Sequence, residues 1–124
     1  MTRRTAIIAG LILAAGISGR AFAHGSTMSH HGGTMVVTGE TQIEAVNVSQ
    51  GLEVYVSEED IPHEATGLAG SAMIVDRPAS RVELLAVDGN RMRAPGLVPV
   101  AGDQVIVTVI DQATGLKSFA TYKY

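Results

Sequence analysis

The sequence contains no cysteine and no tryptophan, and aromatic side chains make up only 4% of its 124 residues. Without cysteine the chain can form neither a disulfide nor a thiolate metal site. Catalytic signatures are missing as well, because no G-x-S-x-G elbow, HExxH pair, P-loop or GxGxxG loop occurs. We therefore expect a protein that is not an enzyme and whose core consists mainly of aliphatic side chains.

Basic residues are scarce beyond position 23. Three of the nine lie in the first 23 residues, so the remainder of the chain carries six basic and twelve acidic residues and a net charge of −6. Nucleic acids and anionic lipid surfaces bind to basic protein faces. Neither is expected as the main partner, whereas a negative net charge is compatible with cation binding and solubility.

Residues 1–23 have the three parts of a secretory signal peptide. Two arginines are followed by the apolar run Ala6 to Ile17, which is short for a membrane-spanning helix of about 20 residues. Ala21-Phe22-Ala23 matches the site that signal peptidase cleaves. We predict a cleavable signal-peptide helix and a periplasmic mature protein that begins at His24 and has no membrane contact. The alternative is an uncleaved N-terminal anchor.

Alternation of apolar and polar residues with a period of two dominates the sequence from Thr34 onward. This period predicts half-buried antiparallel strands, and Asp88-Gly89-Asn90 is typical of a hairpin turn. Residues 34–124 are therefore predicted to form an all-β domain, a small immunoglobulin-like antiparallel β-sandwich of seven or eight strands. Its proline, glycine and acids predict a loop from Glu58 to Leu68. The predicted strands are Met35–Thr38, Thr41–Val48, Leu52–Ser57, Ala69–Asp76, Arg81–Val87, Arg91–Arg93, Asp103–Asp111 and Leu116–Tyr122.

Residues 24–33 form a Gly-rich segment that holds three of the four histidines, and we predict it to be flexible. Imidazole and thioether groups are good copper ligands, and imidazole also binds zinc. A free N-terminal His24 would add its α-amine and ring Nδ1 as a chelate for Cu(II). Copper is the predicted ion and zinc the second choice; in the alternative, the histidines bind nothing and Met35 is simply a core residue. The candidate ligands are His24, His30, His31, Met28 and Met35.

His63 stands apart, in the acidic stretch of the predicted loop from Glu58 to Leu68. A cluster of carboxylates and one imidazole could bind Zn(II) or a hard cation. The alternative is a solvated loop whose acids only contribute negative charge. We favour the solvated loop.

A resemblance to a known group of proteins rests on a few positions of the predicted mature chain. They are His31-Gly32-Gly33-Thr34, Gly39, Glu44, Val54-Tyr55-Val56 and Pro62. The pattern resembles small exported bacterial proteins with an HGG motif, which are similar to the N-terminal domain of periplasmic adaptor proteins of heavy-metal efflux pumps. The resemblance implies that His30 and His31 are metal ligands, with Glu44 as a weaker candidate. The chain departs from the pattern in the loop from Glu58 to Leu68, where these proteins usually have a Gly-Lys-Pro type of turn.

Two functions are compatible with this sequence. The first is a periplasmic metal-binding protein that buffers metal ions or hands them to a component of an efflux system. The second is a non-catalytic envelope module, binding or structural, whose edge strands pair with a partner and whose His-rich tail is incidental. The sequence leaves the oligomeric state open.

Overall fold

A computed structural model describes residues 26–124. The predicted signal-peptide helix and His24 lie outside the described residues. No helix in the described part of the chain is long and apolar enough to cross a membrane. The described part contains one short 3-10 helix, Ala65–Gly67, and ten strands. The strands are β1 (Thr34–Thr38), β2 (Thr41–Val48), β3 (Gly51–Glu58), β4 (Ile61–Pro62), β5 (Leu68–Ile74), β6 (Arg77–Glu83), β7 (Leu85–Asp88), β8 (Arg91–Pro95), β9 (Gln104–Asp111) and β10 (Lys117–Lys123).

The strands form two antiparallel sheets. The first has the order β1-β2-β3-β8-β7, with β4 paired to β3, and the second has the order β10-β9-β5-β6. When β2, β3, β8 and β7 are taken as strands A, B, E and D, the second sheet supplies strands G, F, C and C′ of the immunoglobulin fold. The predicted all-β sandwich is confirmed. The strand count of seven or eight is too low, because the structure adds β4 and divides the predicted strand from Arg81 to Val87 into two.

The core lies between the two sheets and is filled by alternate residues of the strands. Ile43 and Val54 from the first sheet are buried with Ala72 and Val107 from the second. The Tyr122 hydroxyl crosses this core and donates a hydrogen bond to the Ile43 carbonyl oxygen at 2.6 Å. Burial raises the pKa of Tyr122 far above its usual value, so the hydroxyl stays protonated. Because the core uses the inner faces of the two sheets, side chains on the outer faces can form a site.

The prediction of a single strand from Arg81 to Val87 is wrong. Strand β6 ends in the second sheet at Glu83, and β7 begins in the first sheet at Leu85. Between them the buried Leu84 donates its backbone N–H to the Gly70 oxygen at 3.0 Å. The chain therefore changes sheets at Leu84.

The prediction of an unbroken loop from Glu58 to Leu68 is also wrong. The short strand β4 pairs with the end of β3, opposite Ser57 and Glu58, and a 3-10 turn precedes β5. This pairing folds the acidic stretch back onto the first sheet. It brings Asp60 and Pro62 to the outer face of that sheet, where the candidate site lies.

Candidate functional site

Polar side chains on the outer face of the first sheet form the floor of the candidate site. On β2, Gln42 and Glu44 alternate with the core residue Ile43, and Tyr55 of β3 lies opposite Glu44. Hydrogen bonds between residues 26–33 and both β2 side chains hold that segment over the floor. Gln42 and Glu44 consequently have only 1% and 0% of their surface exposed. The His-bearing segment thus packs on the sheet, and the flexibility predicted for residues 24–33 stays a prediction.

The Glu44 carboxylate collects four contacts from this segment. Its Oε1 accepts from the His30 N–H at 3.1 Å and lies 3.0 Å from His31 Nδ1, while its Oε2 accepts from the N–H groups of His31 and Gly33, both at 2.9 Å. Burial raises the pKa of Glu44, but these hydrogen bonds, above all the one from the His31 ring, lower it by more. Glu44 is therefore an ionised carboxylate, which can only accept hydrogen bonds.

The protonation of the His31 ring follows from this contact. Because the Glu44 carboxylate can only accept, His31 Nδ1 must carry the proton that forms their hydrogen bond. In the neutral ring, Nε2 is then left with a lone pair. The ring also stacks on Tyr55, with centroids 3.6 Å apart and planes inclined by 5°. A hydrogen bond at one edge and an aromatic ring on one face thus fix the orientation of His31.

His30, His31 and Met35 line one surface depression of about 250 Å³. The rings of His30 and His31 lie with centroids 6.5 Å apart and planes inclined by 72°. The depression therefore presents two imidazoles and one thioether, a donor set that suits copper and other soft or borderline ions. The remaining wall is formed by Glu44, Tyr55, Ser57, Asp60, Pro62 and Asn90.

The other predicted ligands are placed differently. The Met28 side chain is 72% exposed and does not line the depression. Both carboxylate oxygens of Glu44 are engaged by hydrogen-bond donors of the protein, and its role as a ligand stays a prediction. Across residues 26–124, no three side chains among His, Asp and Glu converge in an arrangement that could hold a metal ion.

The Gln42 side chain is a second point at which hydrogen bonds hold the segment on the sheet, and sequence reasoning missed it. Gln42 Nε2 donates to the Ser26 carbonyl oxygen at 2.6 Å and to Asp60 Oδ1 at 2.8 Å, and Gln42 Oε1 accepts from the Asp60 N–H at 2.6 Å. The Ser26 N–H, which also donates to Asp60, and the Gln42 amide lower the pKa of Asp60. In the sequence, Gln42 has only the position of a solvent-facing strand residue, so no local signal marks this contact.

The two glycines of the HGG motif have separate structural roles. Gly32 has a φ of +76°, a backbone conformation that residues other than glycine rarely adopt. Gly33 instead lies so close to β2 that a Cβ atom would be 2.2 Å from the Ala45 carbonyl oxygen. The motif therefore shapes the turn whose N–H groups reach Glu44.

His63 lies elsewhere on the molecule. Its Nε2 is 3.3 Å from Asp111 Oδ2 at the end of β9, and its Nδ1 is 3.2 Å from the Glu64 carbonyl oxygen. The carboxylate that it contacts thus comes from β9 and not from the acidic stretch around it. This pair joins the loop after β4 to the second sheet.

No protein-family model, curated protein or solved structure matches this chain significantly. The resemblance to exported HGG-motif proteins stays a prediction. The function is therefore argued from the geometry of the site.

Proposed function

We propose that this protein binds a copper ion, or zinc as the second choice, at the depression lined by His30, His31 and Met35. The orientation of His31 by a buried carboxylate carries this proposal. A metal-binding histidine usually donates its other ring N–H to a carboxylate, a carbonyl or water, which fixes the tautomer and makes the ligating nitrogen more basic. The contact between His31 Nδ1 and Glu44 has this form and leaves Nε2 available.

The neighbouring donors suit the chemistry of copper. His30 is exposed beside the fixed ring, so its imidazole can adjust to the ion, and the partly buried Met35 offers a thioether that favours Cu(I). If the mature chain begins at His24, its α-amine and ring would add nitrogen ligands that favour Cu(II). Met28 belongs to the same segment but does not line the depression, and we propose it as a further thioether ligand.

The cellular role that we propose is that of a periplasmic buffer or carrier linked to metal efflux or resistance. The predicted signal peptide, the negative charge of the remaining chain and the resemblance to HGG-motif proteins support this role. The absence of catalytic motifs from the sequence supports a protein that binds metal without catalysing a reaction. A periplasmic component of an efflux system would be the protein partner.

Metal titration of untagged protein that begins at His24 tests the proposal. We expect about one equivalent of copper to bind with a micromolar or lower Kd. The affinity should fall strongly in His31→Asn and His30→Asn. Met35→Leu should weaken the binding of Cu(I) more than the binding of Cu(II). His63→Asn is the matched control, since His63 also contacts a carboxylate but lies outside the depression. Equal affinity of His31→Asn and the parent protein would refute the proposed site, and weaker binding after extension before His24 would assign a role to the α-amine.

A non-catalytic envelope module is the second candidate function, and strand β7 favours it. All four residues of this edge strand are exposed, and Leu85 and Val87 give it an apolar character without lysine or proline to protect it. An extended segment of a partner could pair with this edge. Under this function the protein would bind metal no better than an unfolded peptide with the same histidines.

A further inference from the structure

Glu44 occupies a costly position in the fold. The carboxylate is fully buried on β2, and in the described part of the chain neither lysine nor arginine pairs with it. Burial of an ionised carboxylate lowers stability unless hydrogen bonds replace its water, and an apolar side chain of similar size often gives an equal or higher stability. The need for a charge here therefore points to a specific task beyond packing.

We infer that Glu44 is a positioning residue of the proposed metal site, which acts through His31 by holding its Nδ1 proton so that Nε2 is the donor to the metal. This inference rests on the proposed metal binding. It differs from the ligand role that the resemblance implies for Glu44, because both carboxylate oxygens already accept two contacts each from residues 30–33. The carboxylate is thus occupied by the segment that it orients.

The same carboxylate also fixes the backbone that carries the ligands. Three of its four contacts come from the N–H groups of His30, His31 and Gly33, in a turn that contains two glycines. A Gly-rich loop that had to become ordered on metal binding would lose affinity through its conformational entropy. Because Glu44 holds this turn before metal binds, the site is preorganised.

Tyr55 supports the same arrangement from the face of the ring. A metal ion withdraws electron density from a bound imidazole, and a partly positive ring is attracted to the aromatic face on which it stacks. The parallel stacking at 3.6 Å keeps the His31 ring in the plane that its hydrogen bond to Glu44 requires. Glu44 and Tyr55 together leave Nε2 as the free nitrogen of His31.

NMR spectra of ¹⁵N-histidine protein, combined with zinc and copper titrations, test the inference. Long-range ¹H–¹⁵N spectra distinguish Nδ1–H from Nε2–H in a neutral imidazole, and they are recorded at roughly pH 8, above the ordinary pKa of histidine. His31→Asn assigns the His31 signals. Glu44→Leu removes the acceptor, and Glu44→Gln keeps one acceptor oxygen without the charge. Glu53→Gln is the matched control, because Glu53 is a buried carboxylate on the same sheet face that pairs with Arg93 and Arg91 and not with the His-bearing segment. Its one contact with the site is a 3.4 Å hydrogen bond from the Tyr55 hydroxyl to Oε1, and the glutamine amide oxygen can accept this bond too.

We expect the parent protein and Glu53→Gln to hold the His31 proton on Nδ1 and to bind metal equally well. Glu44→Leu should show a mixture of tautomers and a loss of affinity of roughly 10- to 100-fold, with Glu44→Gln between the two. If Glu44 were a ligand, Glu44→Gln would lose affinity while the tautomer stayed unchanged, and the inference would be wrong. A proton on Nε2 in the parent protein would also overturn it. Absence of metal binding in a parent protein that has the Nδ1–H tautomer would overturn the proposed function itself.

Discussion

Replacement of Gly33 by alanine tests whether the His-bearing segment is docked on the sheet. A Cβ atom at this position would lie 2.2 Å from the Ala45 carbonyl oxygen and 2.7 Å from Val46 Cγ2. Ala45 cannot move away easily, because it lies inside β2 with Thr34 of β1 and Val54 of β3 on either side. The segment must therefore shift by roughly 1 Å to reach an ordinary van der Waals separation.

The magnitude follows from the hydrogen bonds that this shift breaks. The Gly33 N–H donates to Glu44 Oε2 at 2.9 Å, and a hydrogen bond to a charged group contributes about 1.5–3 kcal/mol. Alanine offsets about 0.4–1 kcal/mol of this loss by restricting the unfolded chain. We expect the free energy of unfolding to fall by roughly 1–2 kcal/mol when only this bond breaks. The loss should be larger when the hydrogen bond from the His31 N–H to Glu44 breaks as well. For a domain of this size, each 1 kcal/mol lowers Tm by about 4–8 °C.

Gly39→Ala is the matched control for this substitution. Gly39 has a φ of +60° in the turn between β1 and β2, with open space around the position of a Cβ atom. Its replacement costs about 1–2 kcal/mol of backbone strain and leaves the contacts of Glu44 intact. The two variants can therefore have similar stabilities and still differ at the candidate site.

Hydrogen exchange of single amides distinguishes the two variants, with urea unfolding to measure their stability. In Gly33→Ala the amides of residues 30, 31 and 33 should exchange much faster than in the parent protein, relative to the amides of the core strands. In Gly39→Ala they should keep their protection relative to the core. Retained protection at these three amides in Gly33→Ala would show that residues 26–33 do not pack against Ala45, and the argument for a preorganised site would fail.

Two further predictions concern the sandwich itself. Tyr122→Phe should lower the free energy of unfolding by about 1–3 kcal/mol, because it removes the hydroxyl that donates to the buried Ile43 carbonyl. A chemical denaturation curve measures this loss, and an unchanged midpoint would contradict the prediction. Partial burial lowers the pKa of His63, but hydrogen bonds, one of them with Asp111, raise it by more, while the pKa of Asp111 is lowered chiefly by its hydrogen bond with His63. The stabilisation by His63 is therefore complete below its ordinary pKa of 6.5 and is lost as pH rises through its raised pKa. The stabilisation by Asp111 is complete above its ordinary pKa of 3.8 and is lost as pH falls through its lowered pKa. His63→Asn should consequently reduce the urea midpoint more at pH 5 than at pH 8, and an equal reduction at both would exclude the pair as the cause.

The sandwich was largely predictable because period-two alternation is a local property of the sequence. The bounds of β2, Thr41 to Val48, agree with the structure, and most other predicted strands differ from it by one or two residues at their ends. The change of sheet at Leu84 was not predictable in this way. Val82, Leu84 and Leu85 follow one another with no glycine, proline or other turn residue, so nothing local separates β6 from β7.

The candidate site was predictable only in its proposed donor atoms. Histidine and methionine side chains near Gly32 and Gly33 indicated metal ligands by their chemistry alone. The burial of Gln42 and Glu44 depends on a segment that returns over the outer face of their own strand. Alternation identifies which residues face away from the core, but it cannot show that a distant part of the chain covers them. Tyr55 likewise occupies an outward-facing strand position, and no local signal shows that the His31 ring stacks on it.

The HGG motif shows why a metal site and a structural turn are hard to separate by sequence. Gly32, Gly33 and the His31 Nδ1–H all serve the hydrogen bonds to Glu44, so the fold alone would account for this motif. The Nε2 atom of His31 is the part that these contacts leave unused. Asparagine can place an N–H donor close to the position of Nδ1 but has no counterpart of Nε2. His31→Asn should therefore keep the docked segment and lose metal affinity, whereas loss of both would mean that the histidine serves the turn.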